Sequence, residues 1–223
     1  MSIINRRKPK EARKQNWTKY LTYLLLVNAL LISNLINATL FRWIIGLVVL
    51  LGLYEIVHHV RDQKRYTLGI ALLAVYLPLG YLLLRFTTLP ERYIFFTLMI
   101  VTVFDAFSQL TGQLFGRTKI VPNISPNKTY AGLMGGMLAA ILTAVWIRDL
   151  IHFTPLQSAL LALAMALSAF GGDLLASLAK RKLGIKDYSK LLPGHGGVLD
   201  RFDSLFLAGS FAWVFAKYIY HVV

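Results

Sequence analysis

The stretch at residues 156–175 reads LQSALLALAMALSAFGGDLL, and its only charged side chain is that of Asp173. A helix of about 20 apolar residues is long enough to cross the hydrocarbon core of a bilayer. Only a structure that satisfies its backbone hydrogen bonds internally is stable there, and for a single stretch that structure is a helix. The stretch therefore predicts a membrane-spanning helix with one carboxylate near its end.

Similar apolar stretches recur along the chain, and the composition agrees with them. The chain has 223 residues, of which 57% are hydrophobic. Only 15% are charged, whereas soluble domains average about 25%. A water-soluble globular fold would expose too much apolar surface. The sequence predicts an all-α, polytopic membrane protein with about seven transmembrane helices, near residues 20–37, 40–57, 67–84, 90–111, 131–150, 156–175 and 203–221.

The basic residues are unevenly placed. The chain has 24 basic and 10 acidic residues, and the basic ones concentrate in segment 1–19 and in the loops 58–66, 112–130 and 176–202. Because Lys and Arg accumulate on the cytoplasmic side of membrane proteins, we expect the N-terminus and these loops to be cytoplasmic. Residues 1–19 then form a basic cytoplasmic segment without signal-peptide character, and residues 20–223 form a single transmembrane domain. The net charge of +14 favours contact with anionic lipid over nucleic acid.

Several polar features do not predict a site. The chain has no cysteine, which excludes disulfides, thiolate zinc sites and cysteine nucleophiles and leaves the redox compartment open. No Ser-His-Asp triad order or His-Glu-x-x-His motif is present. Glu55, with His58 and His59, lies at the end of the second predicted span and favours an interface cluster. His152 and His221 are expected on the outer side without a metal-binding partner.

The acidic residues cluster on the predicted cytoplasmic side. Charge inside a membrane span, or at its edge, is costly and marks a candidate functional site. Half of the 10 acidic residues lie around two predicted cytoplasmic loops, at Asp105, Asp173, Asp187, Asp200 and Asp203.

The first candidate motif is GGDLLASLAKR at residues 171–181. Positions i, i+4 and i+7 of a helix share one face, so Asp173, Ser177 and Lys180 are expected in a line with Arg181 beside them. This stripe offers a hard oxygen ligand, a hydroxyl and cations that pair with phosphate. The alternative is a snorkelling Lys/Arg pair at a helix end and one satisfied aspartate.

The second candidate motif is PGHGGVLDRFDS at residues 193–204. Glycines ahead of a helix let backbone N–H groups approach an anion, and the helix start adds positive partial charge. Asp200 and Asp203 point the same way, and Mg²⁺ prefers a few carboxylates together with phosphate oxygens. The alternative is an ordinary capped helix start.

The third candidate combines Asp105 with the loop segments 112–117 and 125–129, which supply turn formers, hydroxyls and cations. Such a loop can cradle a triphosphate. The alternative is a simple turn with a helix cap before the fifth span, and the Walker A pattern is missing.

Together these motifs resemble the signature of the phosphatidate cytidylyltransferases, also called CDP-diacylglycerol synthases. The resemblance covers most of the second half of the chain, while the first half matches only as hydrophobic spans. The residues that carry it are Ser177–Arg181, Lys186–Asp187, Leu192–Gly197 and Asp200–Asp203, with Phe115–Gly116, Ser125–Pro126, Lys128–Thr129 and Gly132 upstream.

The resemblance implies transfer of CMP from CTP to phosphatidic acid, which makes 20–223 a catalytic domain and the protein a nucleotidyltransferase of phospholipid biosynthesis. It implies Mg²⁺, with K⁺ as a possible second cation, CTP and a lipid phosphate as partners, and a homodimer. It also implies an integral protein of a bacterial inner membrane with its site facing the cytoplasm.

The resemblance also assigns roles to residues. Asp173, Asp200 and Asp203 would hold the metal, Lys180 and Arg181 would neutralise phosphates, and Ser125 and Lys128 would contact the nucleotide. Asp105 and Asp187 would support them, and His195 would orient a phosphate or a metal ligand. The further candidates that the motifs supply are Arg201, Thr129, Ser177, Gly196 and Gly197.

Three positions depart from the family's pattern, and two other functions stay open. Ala131 stands where the family has Glu, Ser108 and Gln109 replace an Ala-Tyr pair, and the chain is short at its N-terminal end for a bacterial member. A catalytically altered paralogue fits these departures. A CTP-dependent polyprenol or phytol kinase would instead transfer the γ-phosphate. A cation transporter would place its carboxylates in the middle of the spans.

Overall fold

The computed structural model describes residues 25–62, 64, 66–189, 191 and 196–219. The predicted basic segment 1–19, His195 and His221 lie outside these residues. The described chain forms seven α-helices, one antiparallel β-hairpin and a short 3₁₀ turn at Arg148–Ile151. The elements are α1 (Leu25–Ile36), α2 (Ala38–Asp62), α3 (Tyr66–Phe86), α4 (Glu91–Phe115), β1 (Lys119–Val121), β2 (Ser125–Thr129), α5 (Tyr130–Trp146), α6 (Pro155–Leu183) and α7 (Leu199–Tyr218).

The predicted all-α, polytopic membrane fold is confirmed. Each predicted span coincides with a helix in its described part, and four of these helices, α2, α3, α4 and α6, are long and apolar enough to cross a membrane. The helices α1 and α5 are apolar but shorter. The number of membrane crossings and the cytoplasmic N-terminus stay predictions.

The helices expose large apolar side chains on their outer surfaces. Trp146 is 81% exposed, Trp43 is 74% exposed and Ile70 is 71% exposed. Soluble monomers rarely expose contiguous apolar surface on this scale. Contact with lipid acyl chains accounts for this surface.

Small residues bring α4 and α5 into close contact. A Cβ atom at Gly132 would lie 2.7 Å from the backbone oxygen of Ser108, and one at Gly136 would lie 2.9 Å from that of Phe104. Close backbone approach of this kind is typical of helix packing in membranes. Ser108, one of the departures from the family's pattern, therefore lies in a helix–helix interface.

The loop predicted at 112–130 contains a hairpin formed by β1 and β2. The sequence did not predict this hairpin. Lys119 pairs with Thr129 and Val121 pairs with Ser125. The turn between the strands contains Pro122, whose fixed φ suits a turn. Strands this short leave no periodicity that a sequence can reveal. The hairpin brings the end of α4 back to the start of α5.

The helices α6 and α7 run antiparallel and carry most of the candidate residues. A Cβ atom at Gly172 would clash with the backbone oxygen of Asp203, so the two backbones nearly touch there. Further along α6, Lys180 contacts Asp200 near the start of α7. The helix α6 continues about two turns beyond its predicted end and stops at Gly184, which has a φ of +73°.

Candidate active site

A lysine–aspartate pair joins the hairpin to α6. The ammonium group of Lys128 on β2 forms an ion pair with Asp173, and it lies 5.5 Å from the ring centroid of Phe170. Burial favours the neutral amine, but the carboxylates of Asp173 and Asp105 outweigh this effect and raise the pKa of Lys128. Lys128 is therefore a buried cation held by carboxylates. The hydroxyl of Ser177 donates to Oδ1 of Asp173 over 3.4 Å, as the helical spacing predicted.

A second pair joins α6 to α7. Lys180 Nζ lies 2.6 Å from Oδ1 of Asp200, and both side chains are largely buried. Oδ2 of Asp200 accepts the backbone N–H of Tyr188 at 2.8 Å and that of Gly197 at 2.9 Å. Burial and the charge of Asp200 raise the pKa of the Tyr188 hydroxyl, which keeps that group neutral. Asp200 thus anchors the segment between the two helices.

Two further carboxylates complete the cluster. Ser204 on α7 donates its hydroxyl to Oδ1 of Asp105 over 3.3 Å and its backbone N–H to Oδ1 of Asp203 over 2.9 Å. Asp105 and Asp203 are close enough to interact electrostatically with each other and with Asp173. The acidic residues from α4, α6 and α7 that the sequence predicted to meet therefore lie in one group.

The cluster is recessed from the ends of α4 and α6 and lies beside the start of α7. Asp105 lies ten residues before the end of α4, and Asp173 lies ten residues before the end of α6. At a rise of about 1.5 Å per residue, each carboxylate is about 15 Å inside the helix end. Both helices continue beyond the predicted ends of their spans, α6 through polar residues, and the place of Asp105 and Asp173 near the ends of the membrane spans stays a prediction.

The donor chemistry of the cluster suits Mg²⁺, which prefers carboxylate and phosphate oxygens. The oxygens of Asp105, Asp173 and Asp203 are of this kind, and among the described residues no hydrogen bond is made to Oδ2 of Asp203. The ammonium groups of Lys128 and Lys180 form ion pairs with Asp173 and Asp200. Among the described residues, no group of three or more His, Cys, Asp or Glu side chains is placed so that it could hold a metal ion.

Two predicted site residues form hydrogen bonds with backbone atoms of the hairpin turn and of α5, and none with the described members of the carboxylate cluster. Arg181 donates from Nε to the backbone oxygen of Ile124 over 3.1 Å, which ties the hairpin turn to the end of α6. Thr129 caps α5 by accepting the N–H of Gly132 over 3.1 Å, so the alternative of a helix cap holds for this residue. Ser125 lies at the start of β2.

The remaining predicted residues flank Asp200. Gly196 has a φ of +83°, and a Cβ atom there would lie 2.9 Å from Oδ2 of Asp200 and 3.2 Å from Cβ of Asp187. Asp187 and Arg201 are exposed to solvent. Gly197 supplies the N–H group that Asp200 accepts.

The sequence analysis missed Glu55, Tyr188 and Ser204. Glu55, assigned above to an interface cluster, is 1% exposed and accepts hydrogen bonds from the start of α7. The signal that could have identified Glu55 is its place at the end of an apolar run, where a charge is costly. Tyr188 contacts the site through its backbone N–H group, and Ser204 through its N–H group and its hydroxyl; both depend on tertiary contacts that no sequence pattern reveals.

An apolar cavity adjoins the cluster. Its volume is about 260 Å³, and its walls come from α2, α3, α6 and α7. Nearly all of its lining is apolar, and the few polar contributors include Asp203, Tyr188 and Lys182. A molecule with an apolar body and an anionic end fits a cavity of this kind.

The sequence matches the model of the cytidylyltransferase family over residues 3–219. The chain belongs to the cytidylyltransferase family. The resemblance inferred from the motifs is thereby confirmed, and the motif residues Lys128, Lys180 and Asp203 of this cytidylyltransferase-family protein belong to the cluster or contact it.

Curated relatives match part of the chain. A phosphatidate cytidylyltransferase of Staphylococcus epidermidis is 44% identical over 115 residues, which is 51% of this chain and 44% of the relative. The phosphatidate cytidylyltransferase of Staphylococcus aureus (strain COL) is 41% identical over 115 residues, again 51% and 44%. The uncharacterized protein YnbB of Escherichia coli is 41% identical over 126 residues, 56% and 42%. The chain therefore spans less than half the length of these relatives.

Proposed function

We propose that this protein transfers CMP from CTP to phosphatidic acid or a similar lipid phosphate, forming CDP-diacylglycerol and pyrophosphate. Family membership and the names of the staphylococcal relatives support this reaction class. The observation that carries the proposal is the cluster of Asp105, Asp173 and Asp203 with Lys128 and Lys180, which lies beside an apolar cavity.

The chemistry requires two anions to react. An oxygen of the lipid phosphate attacks the α-phosphorus of CTP and forms a new P–O bond, and the bond to the β-phosphate bridge oxygen breaks. Pyrophosphate leaves with that electron pair. No side-chain nucleophile is needed, because the lipid phosphate is already ionised. Catalysis then rests on positioning and on neutralisation of charge.

The proposed metal is Mg²⁺, held by Asp173, Asp203 and the Oδ1 atom of Asp200, with Asp105 supporting them. Oδ2 of Asp200 is already committed to two backbone N–H groups. When bound, the ion would neutralise phosphate charge and orient the phosphate oxygens. K⁺ beside it is part of the same proposal.

The cations of the chain have separate proposed roles. Lys128 approaches from the hairpin, and its pairing with Asp173 is one that a nucleotide phosphate can replace. Lys180 faces the cluster from α6 and neutralises phosphate charge, with Arg181 and Arg201 supporting it near the helix ends. The part of the site proposed to bind the nucleotide also includes two residues of β2 and four that precede α7 in the sequence: Ser125, Thr129, Asp187, His195, Gly196 and Gly197.

The proposed setting is a bacterial inner membrane with the site facing the cytoplasm, where CTP is available. The distribution of Lys and Arg over the loops supports this orientation. The apolar cavity beside Asp203 would receive the apolar part of the lipid. A homodimer within the membrane is also proposed, as the resemblance implies.

The experiment is incubation of purified protein with CTP, Mg²⁺ and a panel of lipid phosphates and of free polyprenol and phytol, followed by mass measurement of the lipid products. We expect phosphatidic acid to gain the mass of CMP, and label from α-³²P CTP to enter the lipid. Gain of a single phosphate by a polyprenol or phytol, with label from γ-³²P CTP, would replace our proposal with the kinase. No product from any lipid would indicate a catalytically altered paralogue.

A further inference from the structure

Glu55, near the end of α2, is a buried carboxylate that forms no ion pair with any other described residue. It is 1% exposed. A buried charge is costly unless hydrogen bonds replace its water. The donors that replace the water therefore explain why this carboxylate is tolerated.

Among the described residues, three groups donate hydrogen bonds to the carboxylate of Glu55, and two of them belong to the start of α7. Oε1 accepts the N–H of Val198 at 2.9 Å and the hydroxyl of Ser189 at 2.6 Å. Oε2 accepts the N–H of Leu199 at 2.9 Å. The first N–H groups of a helix have no partner within it and carry positive partial charge. Val198 is the N-cap of α7 and has no capping side chain, so Glu55 caps the helix from α2.

The capped turn is the one that carries the candidate ligands. Asp200 is the second residue of α7 and Asp203 the fifth, so any shift of the helix start moves both carboxylates. Gly197, directly before the cap, donates its N–H to Asp200. A Cβ atom at Gly197 would lie 2.6 Å from Oε1 of Glu55, so only glycine lets the carboxylate approach this closely.

We propose that Glu55 is a positioning residue that sets where Asp200 and Asp203 stand relative to Asp173 and Lys180. Its carboxylate fixes the start of α7. It also accepts the hydroxyl of Ser189, the residue next to Tyr188, whose backbone N–H donates to Asp200. The effect on turnover rests on the proposed function. The effect on metal binding does not, because it needs no substrate.

The test is Glu55→Gln, which keeps the size of the side chain but turns an NH₂ group towards N–H donors. We expect turnover to fall about 10-fold or more and the Mg²⁺ concentration for half-maximal rate to rise about 10-fold, in the range of losses seen when groups behind metal ligands are altered. Glu91→Gln, the same change at an exposed helix start, is the matched control and should behave as wild type. Ser189→Ala removes one donor of three and should have a smaller effect.

A second readout separates this inference from the proposed function. Mg²⁺ alone should raise the unfolding temperature of the wild type, because a ligand that binds only the folded state stabilises it. The rise should be smaller for Glu55→Gln, and this result would support positioning even if the wild type forms no CDP-lipid. Wild-type turnover and a wild-type Mg²⁺ response in Glu55→Gln would overturn the inference.

Gly197→Ala tests the close approach of Gly197 and the Glu55 carboxylate from the glycine side. It replaces Glu55→Gln as the test if that variant does not fold. The added methyl group pushes against the Glu55 carboxylate, so the Mg²⁺ requirement should rise here as well. An unchanged Mg²⁺ requirement in a folded Gly197→Ala protein would contradict the proposal.

Discussion

The two lysine–aspartate pairs differ in what else holds their carboxylates. Asp200 accepts two backbone N–H groups in addition to Lys180, and its side chain is 2% exposed. In the part of the chain that the structure describes, Asp173 accepts only the longer hydrogen bond from Ser177 in addition to Lys128, and its side chain is 24% exposed.

This difference separates an anchor from an exchangeable site. Asp200 cannot turn away from its partners without releasing the segment before α7. Asp173 can exchange a lysine for another cation, and it has Asp105 and Asp203 beside it to share that cation. We therefore expect the region around Asp173 to govern metal binding, and the region around Asp200 to govern both metal binding and stability.

The largest effect is expected from Asp173→Asn. Loss of a metal ligand should lower CDP-lipid formation by about 1,000-fold. The unfolding temperature should fall less than in Asp200→Asn, because Lys128 keeps Asp105 beside it and Asp173 accepts no backbone N–H group from the described residues. Activity is measured from product mass at saturating CTP, and folding from size-exclusion behaviour in detergent. Near-wild-type turnover would remove Asp173 from the site.

Asp200→Asn should reduce turnover by about 100-fold and also destabilise the protein. It leaves the ammonium group of Lys180 buried without its partner, which costs about 3 kcal/mol. Thermal unfolding of this variant beside Asp173→Asn tests the comparison directly. Equal stability of the two variants would contradict the distinction between the two regions.

Lys180→Ala should lower turnover by about 10-fold even at saturating Mg²⁺, because the missing charge serves phosphate as well as Asp200. The stability loss should be smaller than in Asp200→Asn, since Asp200 keeps both backbone donors. Rates measured across a series of Mg²⁺ concentrations give this result. Unchanged kinetics would leave Lys180 with a structural role only, as the partner of Asp200.

The smallest effect is expected at His152, in the turn between α5 and α6. His152 has a φ of +56°, so Asn is the suitable replacement because it tolerates this conformation. His152→Asn should leave turnover and the Mg²⁺ requirement unchanged in the same assays. A marked loss of activity would upset the predicted topology.

The helices could be predicted from the sequence because length and apolar content alone select membrane-spanning helices. Their ends could not. The apolar run ends near Leu175, but α6 continues to Leu183 because polar residues also form helix until Gly184 stops it. The hairpin was missed because strands of three and five residues leave no pattern.

The members of the candidate site could be predicted, but their partners could not. Spacing on one helix placed Ser177 beside Asp173, because that contact depends only on helical geometry. The pairing of Lys128 with Asp173 depends on how the hairpin folds back onto α6, which is a tertiary contact. Glu55 binds a helix start that lies more than 140 residues away in the chain.

The most direct test of the divalent-ion site is a Mn²⁺ titration followed by electron paramagnetic resonance, with Mn²⁺ replacing Mg²⁺. Purified wild type and Asp173→Asn are compared without CTP or lipid, so the result does not depend on turnover. We predict saturable Mn²⁺ binding to the wild type and its loss in Asp173→Asn. Equal binding by the two proteins, or none by the wild type, would contradict a metal site built on Asp173.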